Sequence, residues 1–266
     1  MKIKVCIAGA TGWAGSALSR GVATDPELEL VAGISRKAKG QNLSELLGLE
    51  TAPVPVYETA SEALNAVNCD VFVEFTQPDS AKTNVMTANR KGVHVVIGTS
   101  GLTDADYNAI AALADEHKVA VLAVGNFAIT AVLLQKFSEM AAKYIPNFEV
   151  IDYADDRKVD APSGTVRELV KRLSEVQVPN ETVAEADRVG PPEVWGAKMN
   201  GVRVHALRLP SYTISVETIF GLTDERLTIR HDSGTGAEPY VKGGILAIKK
   251  VSSFTGFKRG LDSVMD

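Results

Sequence analysis

Residues 5–15 read VCIAGATGWAG, and this stretch decides the fold. An apolar run suited to a buried strand leads into a turn that contains Gly9, Gly12 and Gly15. The helical pattern of residues 16–22 follows. Glycines at such a turn permit a tight bend and a close approach of the backbone to a pyrophosphate, whose charge the helix N-terminus favours. A glycine-rich turn alone is a weak signal, but its place directly after the first apolar run favours a dinucleotide-binding turn over a plain turn.

Short apolar runs and helical patterns alternate up to about residue 127. After the first run, the apolar segments are residues 28–34, 71–75, 93–97 and 119–124. This rhythm is typical of βαβ units in a doubly wound parallel sheet of the Rossmann type. Ligands of such sheets bind at the carboxyl ends of the strands, where small or polar residues follow each run. We therefore predict an α/β fold with a dinucleotide-binding domain over residues 1–127.

The pattern changes in the second half of the chain. The predicted elements are a strand at 148–153, a helix after Thr165, a polar stretch at 177–201, and strands near 203–209, 212–220 and 225–231. This mixture predicts an α+β domain with a mixed sheet over residues 128–236, for substrate binding and oligomerisation. Residues 237–266 are predicted to form a C-terminal helix that packs back on the first domain, despite Gly243 and Gly244.

The composition limits the class of protein and its partners. The chain has 266 residues, of which 45% are hydrophobic and 23% charged, and its formal net charge is −5. It contains neither a basic stripe nor an apolar run of about 18 residues, so we expect a cytoplasmic protein that binds neither nucleic acid nor a membrane. Cys6 and Cys69 lie in or beside apolar runs, which gives no support to a disulfide framework or a metal site.

The end of the second predicted strand bears on the choice of cofactor. It reads Ser35-Arg36-Lys37, where an NAD-specific site would usually offer an acidic residue to the ribose hydroxyls. A serine and two cations suit a 2′-phosphate better, so we expect NADPH, with NADH as the alternative. A solvated loop is the plainer interpretation of the same residues. Glu74, a carboxylate in an apolar strand, is interpreted as a hydrogen-bonded structural acid.

Residues 158–165 read KVDAPSGT and form a second candidate site. The segment from Pro162 to Thr165 opens onto a helical pattern, so its backbone N–H groups at the helix start form a socket for a carboxylate. Lys158 lies one short loop upstream and can face the same socket. Taken alone, the segment is better explained as an ordinary helix cap beside a solvated lysine, but it does not stand alone.

Taken together, these segments resemble the bacterial 4-hydroxy-tetrahydrodipicolinate reductases, also called dihydrodipicolinate reductases. The segments that carry the resemblance are residues 9–15, 74–78, 96–101, 126–129, 158–165, 204–208 and 225–232. They occur in the family's order and span nearly the whole chain. The resemblance implies a two-domain homotetramer in which a Rossmann domain delivers hydride from NAD(P)H to a cyclic, imine-derived dicarboxylate, on the path to diaminopimelate and lysine.

The resemblance also implies roles for individual residues. The cofactor-binding residues would be Gly9, Thr11, Gly12, Trp13, Ala14, Gly15, Ser35, Arg36, Lys37, Phe75, Thr76, Gly98, Thr99, Asn126 and Phe127. Among these, the glycines of the turn would contact the pyrophosphate, Arg36 the adenosine ribose side, and residues 98–99 and 126–127 the nicotinamide end. The substrate-binding residues would be Lys158, Ser163, Gly164, Thr165 and Glu217.

The chain departs from the family's pattern at three places. The family has two adjacent histidines four and three residues before the motif lysine, the first of them its proposed proton donor. Here those positions are Ala154 and Asp155. A histidine common near Ser215 is absent, and near Gly236 a glycine and one extra residue replace an arginine that clamps the second substrate carboxylate. All three departures fall in the substrate pocket.

These departures leave three hypotheses. In the first, the chain is a working reductase of this family, with Lys158 and Asp155 as candidate catalytic residues. In the second, it is a paralogous NAD(P)H-dependent reductase of another imine, for which Tyr153, Asp156 and Glu217 are further acidic candidates. In the third, it binds a nucleotide without catalysis, which the intact 158–165 motif argues against. A solvated, locally paired charge run is the plainer interpretation of residues 155–157.

Overall fold

The computed structural model describes residues 1–265. The strands, in chain order, are β1 (Ile3–Ala8), β2 (Leu28–Ile34), β3 (Val56–Tyr57), β4 (Val71–Glu74), β5 (His94–Ile97), β6 (Ala120–Ala123), β7 (Phe148–Ala154), β8 (Ala197–Met199), β9 (Val202–Arg208), β10 (Ile214–Leu222), β11 (Glu225–Ser233) and β12 (Gly256–Arg259). The helices are α1 (Trp13–Thr24), α2 (Leu43–Leu47), α3 (Ala60–Ala66), α4 (Pro78–Arg90), α5 (Asp104–His117), α6 (Ile129–Ala142), α7 (Gly164–Val176) and α8 (Glu238–Lys250). The chain divides into two compact units, residues 1–129 with 237 onward, and residues 130–236.

The first unit contains a seven-stranded parallel sheet in the order β12-β6-β5-β4-β1-β2-β3. β1 lies inside the sheet, between β4 and β2, and its last four side chains, Val5 to Ala8, are fully buried, as expected of a parallel strand that is covered on both faces. Helices connect successive strands, which is the geometry that parallel pairing requires. The order in which strands are added to the sheet reverses at β1, because β2 lies on one side of β1 and β4 on the other. The predicted doubly wound α/β fold is confirmed.

The C-terminal segment completes this first unit. β12 pairs in parallel with β6 at the edge of the sheet, and α8 packs against α1. A Cβ atom on Gly243 would lie 1.9 Å from the Phe127 carbonyl oxygen, and one on Gly244 would lie 2.7 Å from the Leu18 side chain. The two glycines therefore allow a close approach of α8 that larger residues would prevent, which explains why this helix tolerates them.

The second unit contains a five-stranded mixed sheet in the order β11-β10-β7-β9-β8. β7 and β9 are parallel, and the other neighbours are antiparallel. Buried residues of α6 and α7 pack on one face of the sheet, with Leu134, Leu169 and Leu173 in one cluster with Val150 and Phe220. The predicted α+β arrangement with a mixed sheet is confirmed. β10 begins at Ile214 rather than at residue 212, because the preceding residues form a turn in which Ser211 has a φ of 77°.

Further observations concern a membrane-spanning helix, a metal site and the two cysteines. Within residues 1–265, no helix has both the length and the apolarity that are needed to cross a membrane. In the same part of the chain, three or more His, Cys, Asp or Glu side chains never come together in a way that could hold a metal ion. Cys6 and Cys69 are both unoxidised thiols, and burial raises the pKa of Cys69 to about 12.

Candidate active site

Close backbone contacts shape the turn between β1 and α1. Gly9 has a φ of 78°, and a Cβ atom there would lie 2.5 Å from the Phe75 carbonyl oxygen. A Cβ atom on Gly15 would lie 2.1 Å from the Gly9 carbonyl oxygen. Gly12 is less constrained, because its Cβ atom would meet the same oxygen at 3.1 Å. The conformation of this turn therefore requires glycine at two of the three predicted positions.

The start of α1 offers a site for an anion. Its N-cap is Gly12, which makes no side-chain hydrogen bond to the first turn. The first turn reads Trp-Ala-Gly-Ser and therefore carries no negative charge against the positive end of the helix dipole. Backbone N–H groups at a helix start bind phosphate well when no side chain covers them. Together with the shape of the glycine turn, this arrangement fits the pyrophosphate of a dinucleotide.

The end of β2 lies beside this turn. The Thr11 and Ser35 hydroxyl oxygens are 2.8 Å apart, so two of the predicted cofactor residues contact each other. Arg36 and Lys37 follow and are exposed. The nearby Glu58 carboxylate is bound by Lys39 at 2.5 Å, and this pairing lowers the pKa of Glu58. The exposed Arg36 guanidinium is thus available for an anionic ligand.

The Glu74 carboxylate holds the loops that follow β4 and β5. It is fully buried, and its Oε1 accepts a hydrogen bond of 2.6 Å from the Thr76 N–H and a short one from the Thr76 hydroxyl. Its Oε2 accepts a hydrogen bond of 2.9 Å from the Asn84 amide. The Thr99 hydroxyl donates to the Thr76 carbonyl oxygen at 3.3 Å. Burial raises the pKa of Glu74, and these contacts give it the structural role expected from the sequence.

A row of aromatic rings runs along the same end of the first unit. Phe75 and Phe127 have ring centroids 5.3 Å apart, Phe127 and Tyr240 6.5 Å apart, and Trp13 and Tyr240 5.5 Å apart. A Cβ atom on Gly98 would lie 2.0 Å from the Phe75 ring, so this glycine gives the ring its space. The structure therefore brings together four predicted cofactor residues, Trp13, Phe75, Gly98 and Phe127. Tyr240, in the first turn of α8, was not predicted.

A buried carboxylate fixes the 158–165 segment to β7. Asp152 is fully buried, and its Oδ2 accepts hydrogen bonds of 2.7 Å from the Ser163 N–H and from Arg208 Nη2. Ser163 is the N-cap of α7 and accepts a hydrogen bond of 3.4 Å from the Val166 N–H. The first turn of α7, from Gly164, contains no acidic residue. Asp152 and Arg208 thus fix the backbone of the predicted carboxylate socket. This role of the two residues was not predicted from the sequence.

Three charged side chains meet at this helix start. Lys158 Nζ lies 2.6 Å from Asp160 Oδ1, and Arg167 Nη1 lies 3.7 Å from Asp160 Oδ2. Arg167 Nη1 also donates a hydrogen bond of 2.5 Å to the Pro162 carbonyl oxygen. The Lys158 ammonium holds the pKa of Asp160 below its usual range. The predicted lysine is therefore paired with an acidic residue of its own loop.

Asp155 forms a local ion pair. Arg157 Nε lies 2.6 Å from its Oδ1, and Arg157 Nη2 lies 3.0 Å from its Oδ2. This bidentate contact lowers the pKa of Asp155, so its carboxylate is ionised at neutral pH and accepts rather than donates protons. The geometry favours the interpretation of residues 155–157 as a locally paired charge run.

Glu217 belongs to a cluster on the five-stranded sheet. Its Oε2 accepts hydrogen bonds from the Tyr153 hydroxyl at 3.0 Å and from Arg230 Nη1 at 3.1 Å. The Arg230 guanidinium lies 4.7 Å from the Tyr153 ring centroid. Burial and the contact with Glu217 raise the pKa of Tyr153. The partners of Glu217 are thus on β7 and β11, and its predicted role in substrate binding gains no contact from the 158–165 segment.

Comparison with protein-family models accounts for nearly the whole length of the chain. The model for the N-terminus of dihydrodipicolinate reductase matches residues 3–127. The model for the C-terminus of the same enzyme matches residues 130–265. The chain belongs to the dihydrodipicolinate reductase family. The family predicted from the motifs is therefore confirmed, and with it the class of NAD(P)H-dependent oxidoreductase.

Curated members of the dihydrodipicolinate reductase family are similar over their full length. The 4-hydroxy-tetrahydrodipicolinate reductase of Bacillus cytotoxicus is 34% identical over 264 residues, which cover 99% of this chain and 99% of the relative. The enzyme of the same name from Geobacillus kaustophilus is 34% identical over 266 residues and covers 100% of both chains. The similarity thus includes both units.

Solved structures agree with the family assignment. A dihydrodipicolinate reductase from Paenisporosarcina sp. TG-14, solved with dipicolinate bound, aligns with a TM-score of 0.89 and 30% identity over 100% of both chains. An amine dehydrogenase from Mycobacterium smegmatis aligns with a TM-score of 0.69 and 14% identity, over 100% of this chain and 97% of the other. At that identity the second likeness shows a shared fold and nothing more.

Proposed function

We propose that the chain is a 4-hydroxy-tetrahydrodipicolinate reductase, which reduces a cyclic, imine-derived dicarboxylate on the path to diaminopimelate and lysine. The observation that carries this proposal is the end-to-end family match together with an ordered carboxylate socket, in which Asp152 accepts the Ser163 N–H at 2.7 Å. The names of the curated relatives and the dipicolinate in the related structure support the same substrate class.

In this proposal the first unit binds the nicotinamide cofactor. The glycine turn and the start of α1 hold the pyrophosphate, and Arg36 with Lys37 favours NADPH over NADH through the 2′-phosphate. Hydrogen bonds to the Glu74 carboxylate position Thr76 and Thr99 for the nicotinamide end. When bound, the cofactor supplies the hydride.

In the second unit, the start of α7 and Lys158 bind the substrate. The backbone N–H groups of Gly164 and Thr165 face one carboxylate, where the helix dipole favours negative charge. Reduction of an imine consumes a proton as well as a hydride. Ala154 has no proton to donate, and Asp155 is ionised by its contact with Arg157. The Lys158 ammonium is the remaining donor of the motif, directly or through water.

We further propose that the chain forms a homotetramer in the cytoplasm. The support is the family resemblance and the face of the five-stranded sheet opposite α7, where Ile151, Leu207 and Ile219 are only half-buried. Light scattering should give a mass four times the 28.3 kDa of one chain. A monomer in solution would contradict this part of the proposal.

The proposed reaction is tested with purified protein and freshly generated substrate. We expect NADPH to bind and the nicotinamide absorbance to fall when 4-hydroxy-tetrahydrodipicolinate is added, more slowly than for a relative with the histidine pair. Equally fast turnover would contradict an altered pocket. Turnover on other cyclic or acyclic imines alone would favour the paralogous reductase, and failure to bind NADPH would contradict both enzymes.

Lys158→Ala tests the role of the lysine. We expect kcat/KM to fall about 100-fold or more, the usual scale for loss of a proton donor or of a charged anchor, while the Kd for NADPH stays within about twofold. Lys143→Ala removes the same charge from an exposed position and serves as the control. Equal losses of turnover and of cofactor affinity in Lys158→Ala would contradict the assignment.

A further inference from the structure

Positive charge exceeds negative charge at the start of α7. Lys158 and Arg167 both approach the Asp160 carboxylate, at 2.6 Å and 3.7 Å, and the positive end of the helix dipole points to the same place. One carboxylate therefore faces two cations and a helix start. An anion that took the place of Asp160 would find all of these partners already in position.

The place of Arg167 is not explained by the stability of the helix. It lies in the first turn of α7, where a cation interacts unfavourably with the helix dipole. Its Nη2 lies 3.6 Å from the position that a Cβ atom on Gly164 would occupy, so the guanidinium lies close to the first residue of the helix. Half of its side chain is exposed, at 50%, which leaves it accessible to a ligand.

A dicarboxylate needs two separate anion positions. The backbone N–H groups at Gly164 and Thr165 provide one. Lys158 and Arg167 provide the other, because a guanidinium can bind a carboxylate through two parallel hydrogen bonds. The Asp160 side chain occupies this second position, as its contacts with both cations show.

We infer that Arg167 binds the second carboxylate of the substrate together with Lys158, and that Asp160 holds this position until the substrate displaces it. This inference rests on the proposed function, since it assumes a dicarboxylate substrate. It makes Arg167 a determinant of specificity for dicarboxylates over monocarboxylates. It makes Asp160 an internal competitor whose contacts the substrate takes over.

The inference gives the two residues opposite effects on affinity. Loss of the Arg167 guanidinium removes a ligand contact, so dicarboxylate binding should weaken. Loss of the Asp160 charge removes the competitor, so binding should tighten. A purely structural ion pair would behave differently, because removal of either partner would disturb the same loop and weaken binding in both variants.

The test measures dicarboxylate binding to the protein with NADPH bound. Dipicolinate is titrated by calorimetry, and picolinate, which has one carboxylate, is the comparison ligand. We expect Arg167→Gln to weaken dipicolinate binding about 10-fold and picolinate binding less than about twofold, the scale of one charge-assisted contact. Asp160→Asn should tighten dipicolinate binding about threefold, because the competing charge is lost while the hydrogen bond from Arg208 Nη2 to the carbonyl oxygen of residue 160 keeps the loop in place.

Matched variants on the same helix control for the change in charge. Lys171→Gln removes a cation one turn beyond Arg167, and Glu168→Gln removes an anion beside it, so both should change dipicolinate affinity less than about twofold. Arg167→Lys keeps the charge but not the bidentate geometry and should weaken binding about threefold, which also serves if Arg167→Gln folds poorly.

The outcomes separate this inference from the proposed function. Failure of the unmodified chain to bind dipicolinate would overturn both. Normal binding of dipicolinate with no change in Arg167→Gln, or with weaker binding in both Arg167→Gln and Asp160→Asn, would overturn the inference and leave the proposed function standing. Opposite changes in the two variants support the inference.

Discussion

The starts of α1 and α7 are both suited to anions, and they reach this property by different means. At α1, Gly12 leaves the helix without a side-chain cap, and a Cβ atom on Gly9 or Gly15 would come within 2.5 Å of a backbone atom. At α7, Ser163 caps the helix, and charged side chains surround it. The site at the start of α1 depends on the steric exclusion of side chains. The site at the start of α7 depends on the pairing of charged side chains.

Gly15→Ala has the largest expected effect and tests the steric exclusion of side chains at the start of α1. In Gly15→Ala, the new Cβ atom would lie 2.1 Å from the Gly9 carbonyl oxygen, and because the nearest atoms all belong to the backbone of Gly9 and Ala10 there is little room for adjustment. We expect a loss of about 3 kcal/mol in the free energy of unfolding, at the upper end for overpacking, and NADPH affinity reduced about 100-fold. Urea unfolding and fluorescence titration measure the two.

Gly221→Ala is the control for that substitution. Among the described residues, nothing lies within 4 Å of the Cβ atom that it would add, and the free energy of unfolding should change by less than about 0.5 kcal/mol. Similar behaviour of Gly15→Ala and Gly221→Ala would remove the steric basis of the comparison.

Asp152→Asn tests the pairing of charges at the start of α7. The substitution leaves Arg208, whose side chain is 17% exposed, opposite a neutral amide. We expect the free energy of unfolding to fall by about 3 kcal/mol, because the loss of one partner from a buried ion pair leaves the other charge uncompensated. KM for the substrate should rise, since Asp152 also holds the Ser163 N–H.

Asp232→Asn provides the matched exposed pair. Asp232 lies 2.8 Å from Arg230, and 60% of its side chain is exposed, so its neutralisation should cost less than about 1 kcal/mol. If thermal or urea unfolding showed equal costs for Asp152→Asn and Asp232→Asn, burial would not be what makes the α7 start sensitive to charge.

Arg36→Ala asks whether a charged side chain also contributes to the first site. We expect the Kd for NADPH to rise about 10-fold and the Kd for NADH to change less than about twofold, because one charge-assisted contact to the 2′-phosphate is lost. Direct titration with both nucleotides measures this. Equal effects on the two would mean that Arg36 does not read the phosphate and that the glycine turn alone defines the site.

His94 provides the smallest effect and lies outside both helix starts. Its Nδ1 accepts a hydrogen bond of 3.0 Å from the Ala120 N–H, and burial lowers its pKa. The unfolded chain therefore takes up a proton near pH 6.5, whereas the folded chain binds it only at lower pH. The contribution of His94 to the free energy of unfolding is thus fully present above about pH 6.5 and is lost as the pH falls below it.

Urea unfolding at pH 7.5 and 5.5 checks this pH dependence. We expect His94→Gln to lose part of the decrease between the two pH values, while His117→Gln, on α5, keeps it. If the free energy of unfolding of His94→Gln fell as much between the two pH values as that of the unmodified chain, groups other than His94 would account for the decrease. A pH effect measured at the two helix starts could then not be corrected for a contribution of His94.

The comparison also explains what the sequence could and could not predict. Steric demands are written in the sequence, because only glycine meets them, and so the turn at Gly9 and Gly15 and the parallel sheet were predictable. The pairing of charges depends on chain segments that meet only in the fold. For this reason Arg208 as the partner of Asp152 and the place of Arg167 beside Gly164 were not predicted, whereas the pairing of Asp155 with Arg157, two residues apart, was.

Aromatic and glycine positions of α8 illustrate the same limit. The sequence predicted a helix despite Gly243 and Gly244, but not that these glycines let α8 approach Phe127 and Leu18. The ring contact between Tyr240 and Trp13 depends on that approach, and so Tyr240 could not be assigned to the cofactor site from the sequence.

The pairing of β12 with β6 has a consequence for the order in which the protein forms during translation. Residues 1–129 leave the ribosome with β6 as an unpaired edge and with α1 uncovered by α8. An exposed strand edge is prone to pair with other chains, and here it stays exposed while the whole second unit is synthesised. The cofactor-binding unit is therefore the first to begin folding and the last to finish, after translation has passed residue 259.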